Sequence, residues 1–215
     1  MAIADLLAKL VELKSQLVAN LSSMGVTADE SEKLNTLVPK VLECKTDVIW
    51  SQDTVSDEVT SVKIPSGVTS IEDFAFMMND NLKSVKIPSG VTSIGMHTFE
   101  SCSNLASVTI GNGVTSIEER VFSTCTSLKS IKIPSGVTSI GSYAFYYCTS
   151  LASVTIPDSV TSIGEFAFSE CSSLANIYYK GTEEQWNAIT KGSNWNSSMG
   201  SNVGGGTVIT YNYTG

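Results

Sequence analysis

The chain has 215 residues, 42% of them hydrophobic and 16% charged, so it has room for one large domain or for one domain with small attachments. A net charge of −8 and a pI near 4.6 exclude the clustered Lys and Arg that nucleic acid demands, and they argue against an anionic membrane surface. No apolar run approaches the ~20 residues of a spanning helix, so no membrane insertion is expected.

The N-terminus, MAIADLLAKL, lacks a basic start, and Asp5, Lys9, Glu12 and Lys14 interrupt its apolar residues. It reads as an amphipathic helix and not as a secretory signal. Ile3, Leu6, Leu10, Leu13, Leu17, Asn20 and Met24 follow steps of three and four, a seam of about three heptads. Thr27 and Glu30 form a capping-box pattern for a second helix through Leu34, Leu37, Val38 and Leu42, which Pro39 kinks or splits. Residues 1–44 are therefore expected as a helical segment with two alternative roles. It is a hairpin packing on itself or on the first coil, or it is an oligomerisation seam. In the second case Leu6, Leu10, Leu13 and Leu17 make the contact, Asn20 selects the register, and a trimer is the state to test. The phrase S-E-K-L-N-T-L-V-P-K-V-L from Ser31 to Leu42 resembles the N-terminal helical segment of phage tail-associated proteins. That resemblance implies attachment to other virion proteins and explains an adhesion domain without a leader. Residues 45–58, with Trp50, read as an atypical first coil shielding the end of a stack.

From residue 59 the chain repeats. Phe76, Phe99, Phe122, Phe145 and Phe168 stand 23 residues apart. The same register holds for Ile64, Ile87, Ile110, Ile133 and Ile156, for Val68 to Val160, for Ile71 to Ile163, and for Leu82 to Leu174. A fixed period of this size marks a solenoid whose units bury their apolar faces only against neighbours. Within one unit, Val85 and Ile87 alternate with Ser84 and Lys86 as in a strand with one buried face. Pro88-Ser89-Gly90 makes a turn, Val91 to Ile94 is a second short strand, and Thr98, Phe99, Cys102 and Leu105 suit a helical or 3₁₀ turn. The run I-P-S-G-V-T-S-I-G-S-Y-A-F-Y-Y-C-T-S-L (Ile133 to Leu151) resembles the BspA-type leucine-rich repeat, in five copies over residues 59–175. The resemblance implies an α/β solenoid with a parallel sheet on one side. It also implies a role in adhesion or surface recognition, in bacteria, protists or phages, with no shared catalytic residues. Copy three departs from the pattern with Gly111-Asn112-Gly113.

Residues 176–215 read as a C-terminal cap. Asn176 to Lys180 starts a sixth strand, Thr182 and Gln185 cap a short helix carrying Trp186 and Ile189, and Thr207 to Thr214 alternates as a last strand. The Gly/Ser/Asn stretch between them reads as a connector.

Chemistry is scarce. Cys102, Cys125, Cys148 and Cys171 share one repeat position, with Asn79 in the first copy, which is the pattern of buried thiols and not of a disulfide framework. His97 is the only histidine, and its column holds Phe74, Arg120, Tyr143 and Phe166, so no catalytic dyad, metal site or cofactor is expected. What varies among the copies is the pair before A-F and the pair after it. Those pairs hold Phe74, Met77, Met78, Met96, His97, Arg120, Tyr143, Tyr146, Tyr147 and Phe166, residue types enriched in binding hot spots. They either cover the ridge between coils or contact a ligand. The strand face, with Lys63, Lys86, Lys132, Thr109 and Thr155, is a plainer, mildly basic candidate for an acidic polymer. The leading expectation is a non-catalytic phage tail or virion protein that binds a bacterial surface glycan or protein. The alternatives are a bacterial cell-surface or secreted adhesin and a structural spacer.

Overall fold

The alternation Ser84-Val85-Lys86-Ile87 buries its valine and isoleucine and leaves the lysine exposed, and parallel copies of that segment build one wall of the protein. The structure is a computed structural model that describes residues 48–50, 61–64 and 67–215. The chain divides into two compact units, Met1–Val48 and Ile49–Gly215. The helical expectation for 1–44, with its seam, its resemblance to tail proteins and Cys44, lies outside the described residues, as does most of the cap expected at 45–58.

The first strands of successive coils are β2 (Ser61–Lys63), β4 (Ser84–Ile87), β6 (Ser107–Ile110), β8 (Ser130–Lys132), β10 (Ser153–Ile156) and β12 (Asn176–Tyr179). They run parallel with equivalent residues opposed, as in Ser84 with Ser107 and Val85 with Val108. The second strands are β3 (Val68–Ile71), β5 (Ser93–Ile94), β7 (Ser116–Ile117), β9 (Ser139–Ile140) and β11 (Ser162–Ile163), preceded by β1 (Val48–Trp50). Equivalent residues are opposed in the pairs β3–β5, β7–β9 and β9–β11. The result is a β-solenoid of about five turns.

Its interior consists of columns. Phe76, Phe99, Phe122, Phe145 and Phe168 are all essentially fully buried. Their rings lie 5.0, 5.4, 5.5 and 5.1 Å apart with planes within 14°, an offset stack that adds to the burial of each ring. Beside them each cysteine thiol donates to a phenylalanine carbonyl of the preceding coil: Cys102 to Phe76, Cys125 to Phe99, Cys148 to Phe122 and Cys171 to Phe145, at 3.0–3.2 Å. In copy one the Asn79 side chain takes this place and accepts from the Leu82 N–H. All four thiols are free and buried. Burial pushes the Cys102 thiol up from 9.0 to about 12 and raises those of Cys125 and Cys148 well above the ordinary value. Since the thiolate is the reactive species, an aromatic disulfide reagent is expected to leave these four cysteines untouched in the native protein and to modify all four in denaturant. The sign of the pH effect follows: above pH 9 the unfolded Cys102 thiol ionises while the folded one stays neutral, so this thiol's contribution to stability declines from 9.0 towards about 12.

Neither wall of strands is continuous. The first-strand sheet splits into β2-β4-β6 and β8-β10-β12 with a last strand, and the second-strand sheet into β1-β3-β5 and β7-β9-β11 with one more. The second break coincides with a change at one residue of coil three. Gly95, Gly141 and Gly164 follow the second strands and donate to Ile71, Ile117 and Ile140 of the preceding coil at 2.8, 2.7 and 2.7 Å. Such closeness excludes a side chain: a Cβ on Gly141 would stand 2.7 Å from the Glu118 carbonyl carbon, and one on Gly164 would stand 2.6 Å from that of Gly141. Copy three has Glu118 at this position. The corresponding bond to Ile94 is missing, and β7 does not pair with β5.

The segment expected as a helical turn is different. No helix occurs among the described residues of the repeats. Each copy instead forms overlapping tight turns, in copy one Ala75 N–H to Glu72, Met77 to Phe74 and Asn79 to Phe76. The alternate donors run along the stack: Phe74 to Met96, Phe76 to Thr98 and Met78 to Glu100, at 2.8–3.0 Å. Two residues per copy sit at φ of 54–62°. A left-handed residue breaks a helix, and here it rotates the peptide so that its N–H reaches the next coil. The segment is a third inter-coil ladder.

The short helix and strands read from residues 176–215 are present. Thr182 caps helix α1 (Glu183–Ala188) with a reciprocal capping box to Gln185, and Trp186 and Ile189 are buried. A short strand, β13 (Thr190–Lys191), pairs with β11. The last strand, β14 (Val208–Thr210), is shorter than the alternation suggests and pairs with β12. Trp195 meets Phe168 edge to face at 6.3 Å. Phe166, Phe168 and Glu170 donate to Ser193, Trp195 and Ser197, so the cap is a sixth coil lengthened by α1. No described helix is long and apolar enough to cross a membrane.

Candidate functional site

The left-handed positions of the turn ladder form two columns, the second residues of the variable pairs. Phe74, His97, Arg120, Tyr143 and Phe166 occupy the first, and Met78, Ser101, Thr124, Tyr147 and Glu170 the second. Glycine or asparagine fits this backbone best, and any other residue costs roughly 1–2 kcal/mol. None of the ten is glycine or asparagine. The first column holds two Phe, a Tyr, a His and an Arg, which carry the strain without entering the core.

These side chains form a ladder on the outside of the solenoid. The Phe74 and His97 rings stack at 4.8 Å. His97 Nδ1 lies 2.6 Å from Glu100 Oε2, whose other oxygen receives Arg120 at 3.4 Å. The Arg120 guanidinium lies 4.4 Å over the Tyr143 ring, within cation–π range. Tyr143 then stacks on Phe166 at 5.0 Å. Tyr146 packs edge-on against Tyr143 at 5.6 Å and is tilted against Tyr147 at 6.1 Å. The ends of the ladder are open, with Phe74 42% and Tyr147 46% exposed.

Of the residues singled out from the sequence, the structure therefore links Phe74, His97, Arg120, Tyr143, Tyr146, Tyr147 and Phe166 into one surface. Met78 and Met96 are also exposed and Met77 is half-buried. The two methionines of copy one lie three coils from the tyrosine group, about 14 Å at strand spacing. Glu100 is not among the residues singled out, yet it joins His97 to Arg120; the tight turn that closes from the Glu100 N–H to the His97 carbonyl brings the two side chains together. Asp73 is a second such residue, since its carboxylate accepts the Met96 N–H at 2.7 Å. Among the described residues, no three His, Cys, Asp or Glu side chains gather at metal-binding range.

The profile of the BspA type leucine rich repeat region, in six copies, matches residues 55–175. The chain belongs to this family. Among solved structures, a leucine rich cell surface protein of Faecalibacterium prausnitzii is 47% identical with a TM-score of 0.61, over 62% of this chain and 35% of that one. A leucine rich repeat protein of T. pallidum is 31% identical with a TM-score of 0.55, over 64% of this chain and 70% of that one. The pneumococcal vaccine antigen PcpA, 23% identical with a TM-score of 0.52 over 60% of this chain and 32% of that one, shares the fold. The chain thus spans about a third of the length of the Faecalibacterium protein. No curated protein matches it. The BspA-type repeat accounts for the columns of the core; the aromatic ladder is built on the positions that the repeat leaves free.

Proposed function

We propose that this chain is a non-catalytic recognition protein of the bacterial cell-surface, adhesin type. It binds a surface glycan or protein through the ladder from Phe74 to Phe166 and the tyrosines beside it. The observation that carries this reading is that large aromatic and cationic side chains stand on strained left-handed backbone at the surface, where small polar residues would serve the fold equally well. Rigid, partly exposed rings supply contact area at low entropic cost. Two further points support the reading: leucine-rich repeat proteins are typically non-enzymatic recognition proteins, and the Faecalibacterium relative is described as a cell surface protein.

Display on a phage tail is the finer alternative. It rests on residues 31–42, as does attachment to other virion proteins, and oligomerisation rests on Leu6, Leu10, Leu13, Leu17 and Asn20. All lie outside the described residues; the cell-surface reading is preferred for its support from the Faecalibacterium relative. A structural spacer would have its ladder covered by another subunit.

The test is the combined replacement Tyr143→Ser, Tyr146→Ser and Tyr147→Ser. The fold tolerates it, because Ser123 and Ser169 already occupy the Tyr146 column and Ser101 and Thr124 the Tyr147 column. Binding to a panel of fixed bacterial cells and surface glycans is expected to drop at least tenfold or so, as for loss of a hot-spot cluster, with little change in melting temperature. Undiminished binding would dismiss the ladder as the contact surface.

A further inference from the structure

The first-strand sheet is interrupted between β6 and β8, and the interruption holds a groove. A cavity of about 440 Å³ opens there, running from the end of β6 past the turns of coils four and five to Lys180, within the size range of small-ligand pockets. Val108 lines it and is only half-buried, whereas its register partners Val85, Ile131, Val154 and Ile177 are buried.

The groove lies at the copy whose turn departs from the repeat. Coils two, four and five leave the first strand through Pro88, Pro134 and Pro157; coil three does so through Gly111-Asn112-Gly113. That turn sits so low on coil two that a Cβ on Gly111 would come 2.5 Å from the Pro88 carbonyl carbon, and one on Gly113 would collide with Ser89 O. Gly111, where the other copies have proline, permits this approach, and the cavity lies beside that turn. Pro134 and Pro157 form rigid apolar walls, and Asn112 adds an amide.

The charge in the groove runs against that of the protein. Lys132 and Lys180 line it and no carboxylate does, in a chain of net charge −8. Neither ammonium has a carboxylate or carbonyl partner among the described residues, in contrast to Lys191, which is held by the Trp186 and Ile189 carbonyls, and to Arg120, which pairs with Glu100 and Glu119. Two free cations, one amide and apolar walls match a sugar that bears a carboxylate: the ammoniums pair with the acid and the prolines take the ring's C–H face.

We propose that the groove between coils three and six, lined by Lys132, Lys180, Asn112, Pro134 and Pro157, is a second binding site, for a carboxylate-bearing glycan such as a uronate oligosaccharide. It shares no residue with the aromatic ladder and stands or falls independently of it. The experiment is calorimetric titration of the full chain with trigalacturonic acid and, separately, with its methyl ester, each at low and raised salt. The acid binds, the neutral ester binds at least about tenfold more weakly, and binding weakens as salt rises. Lys132→Gln with Lys180→Gln is expected to remove roughly tenfold or more of the affinity for the acid. Lys86→Gln, at an exposed lysine of the first strands outside the groove, leaves it unchanged, and matching melting curves show that all variants fold. No binding of the acid by the unaltered chain, equal binding of acid and ester, or an equal loss in Lys86→Gln each overturns the proposal.

Discussion

Phe122→Ala is expected to destabilise the solenoid by about 3–5 kcal/mol, the range for truncating a buried aromatic ring. The measurement is the midpoint of reversible denaturant unfolding, with the slope unchanged. The ring is fully buried and stacks on Phe99 at 5.4 Å and on Phe145 at 5.5 Å, so its removal weakens both neighbouring interfaces at once. In a stack whose stability is a sum of unit and nearest-neighbour terms, a central lesion is felt on two sides, and the cavity collapses poorly because one strand ladder and the turn ladder still tie coil three to each neighbour. At about 2–4 °C per kcal/mol for a domain of this size, the melting temperature falls by roughly 6–20 °C. Phe166→Ala is the control. Its ring lies outside the core, stacked on Tyr143, and alanine retains the left-handed penalty, so the loss should stay near 1 kcal/mol, the scale of one surface aromatic pair. Equal effects at Phe122 and Phe166 would contradict the division between a uniform interior and a variable exterior.

That division is legible in the amino-acid sequence alone. The five-fold recurrence of Phe, Ile, Val and Leu identifies the buried columns residue by residue, because every unit faces the same physical problem and solves it with the same side chains. The capping box at Thr182 and Gln185 is readable for a similar reason: its two hydrogen bonds depend on two side chains three residues apart. The turn ladder is not. Left-handed backbone is usually betrayed by glycine or asparagine, and here Phe74, Arg120 and Tyr143 stand in its place, so the short spacing of apolar residues suggests a helical turn. The sixth coil is hidden by α1, which lengthens the step from Phe168 to Trp195 beyond the period. Of the candidate site, the variable columns are visible and their linkage is not, because Glu100 varies within its column and reads as a solvated charge until it is seen holding His97 and Arg120. The groove has a visible signal in Gly111-Asn112-Gly113; its lining by Lys132 and Lys180 depends on how four coils align at one end of their strands.

Gly164→Ala tests how closely the coils must approach. The expected cost is about 1–3 kcal/mol for forcing a methyl group into filled space, with roughly 0.5–1.5 kcal/mol more for the hydrogen bond it displaces. The bond is Gly164 N–H to Ile140 O at 2.7 Å, and the new carbon would stand 2.6 Å from the Gly141 carbonyl carbon. Backbone atoms on both sides leave nothing flexible to move aside, so coil five must lift from coil four. Glu118 occupies this position in copy three, where the bond to Ile94 is absent and β5 and β7 have separated; Glu72 occupies it in copy one, where β3 still pairs with the atypical β1. Among the described residues the second-strand sheet has one such break, and a second would detach the second strand of coil five from β9, exposing those backbone amides to faster hydrogen exchange. Mass-resolved exchange on Gly164→Ala should therefore show lost protection at Ser162, Ile163 and residue 164, with that of the first strands β10 and β12 kept. Unchanged protection and an unchanged unfolding midpoint would mean that the glycine column reflects something other than the distance between coils.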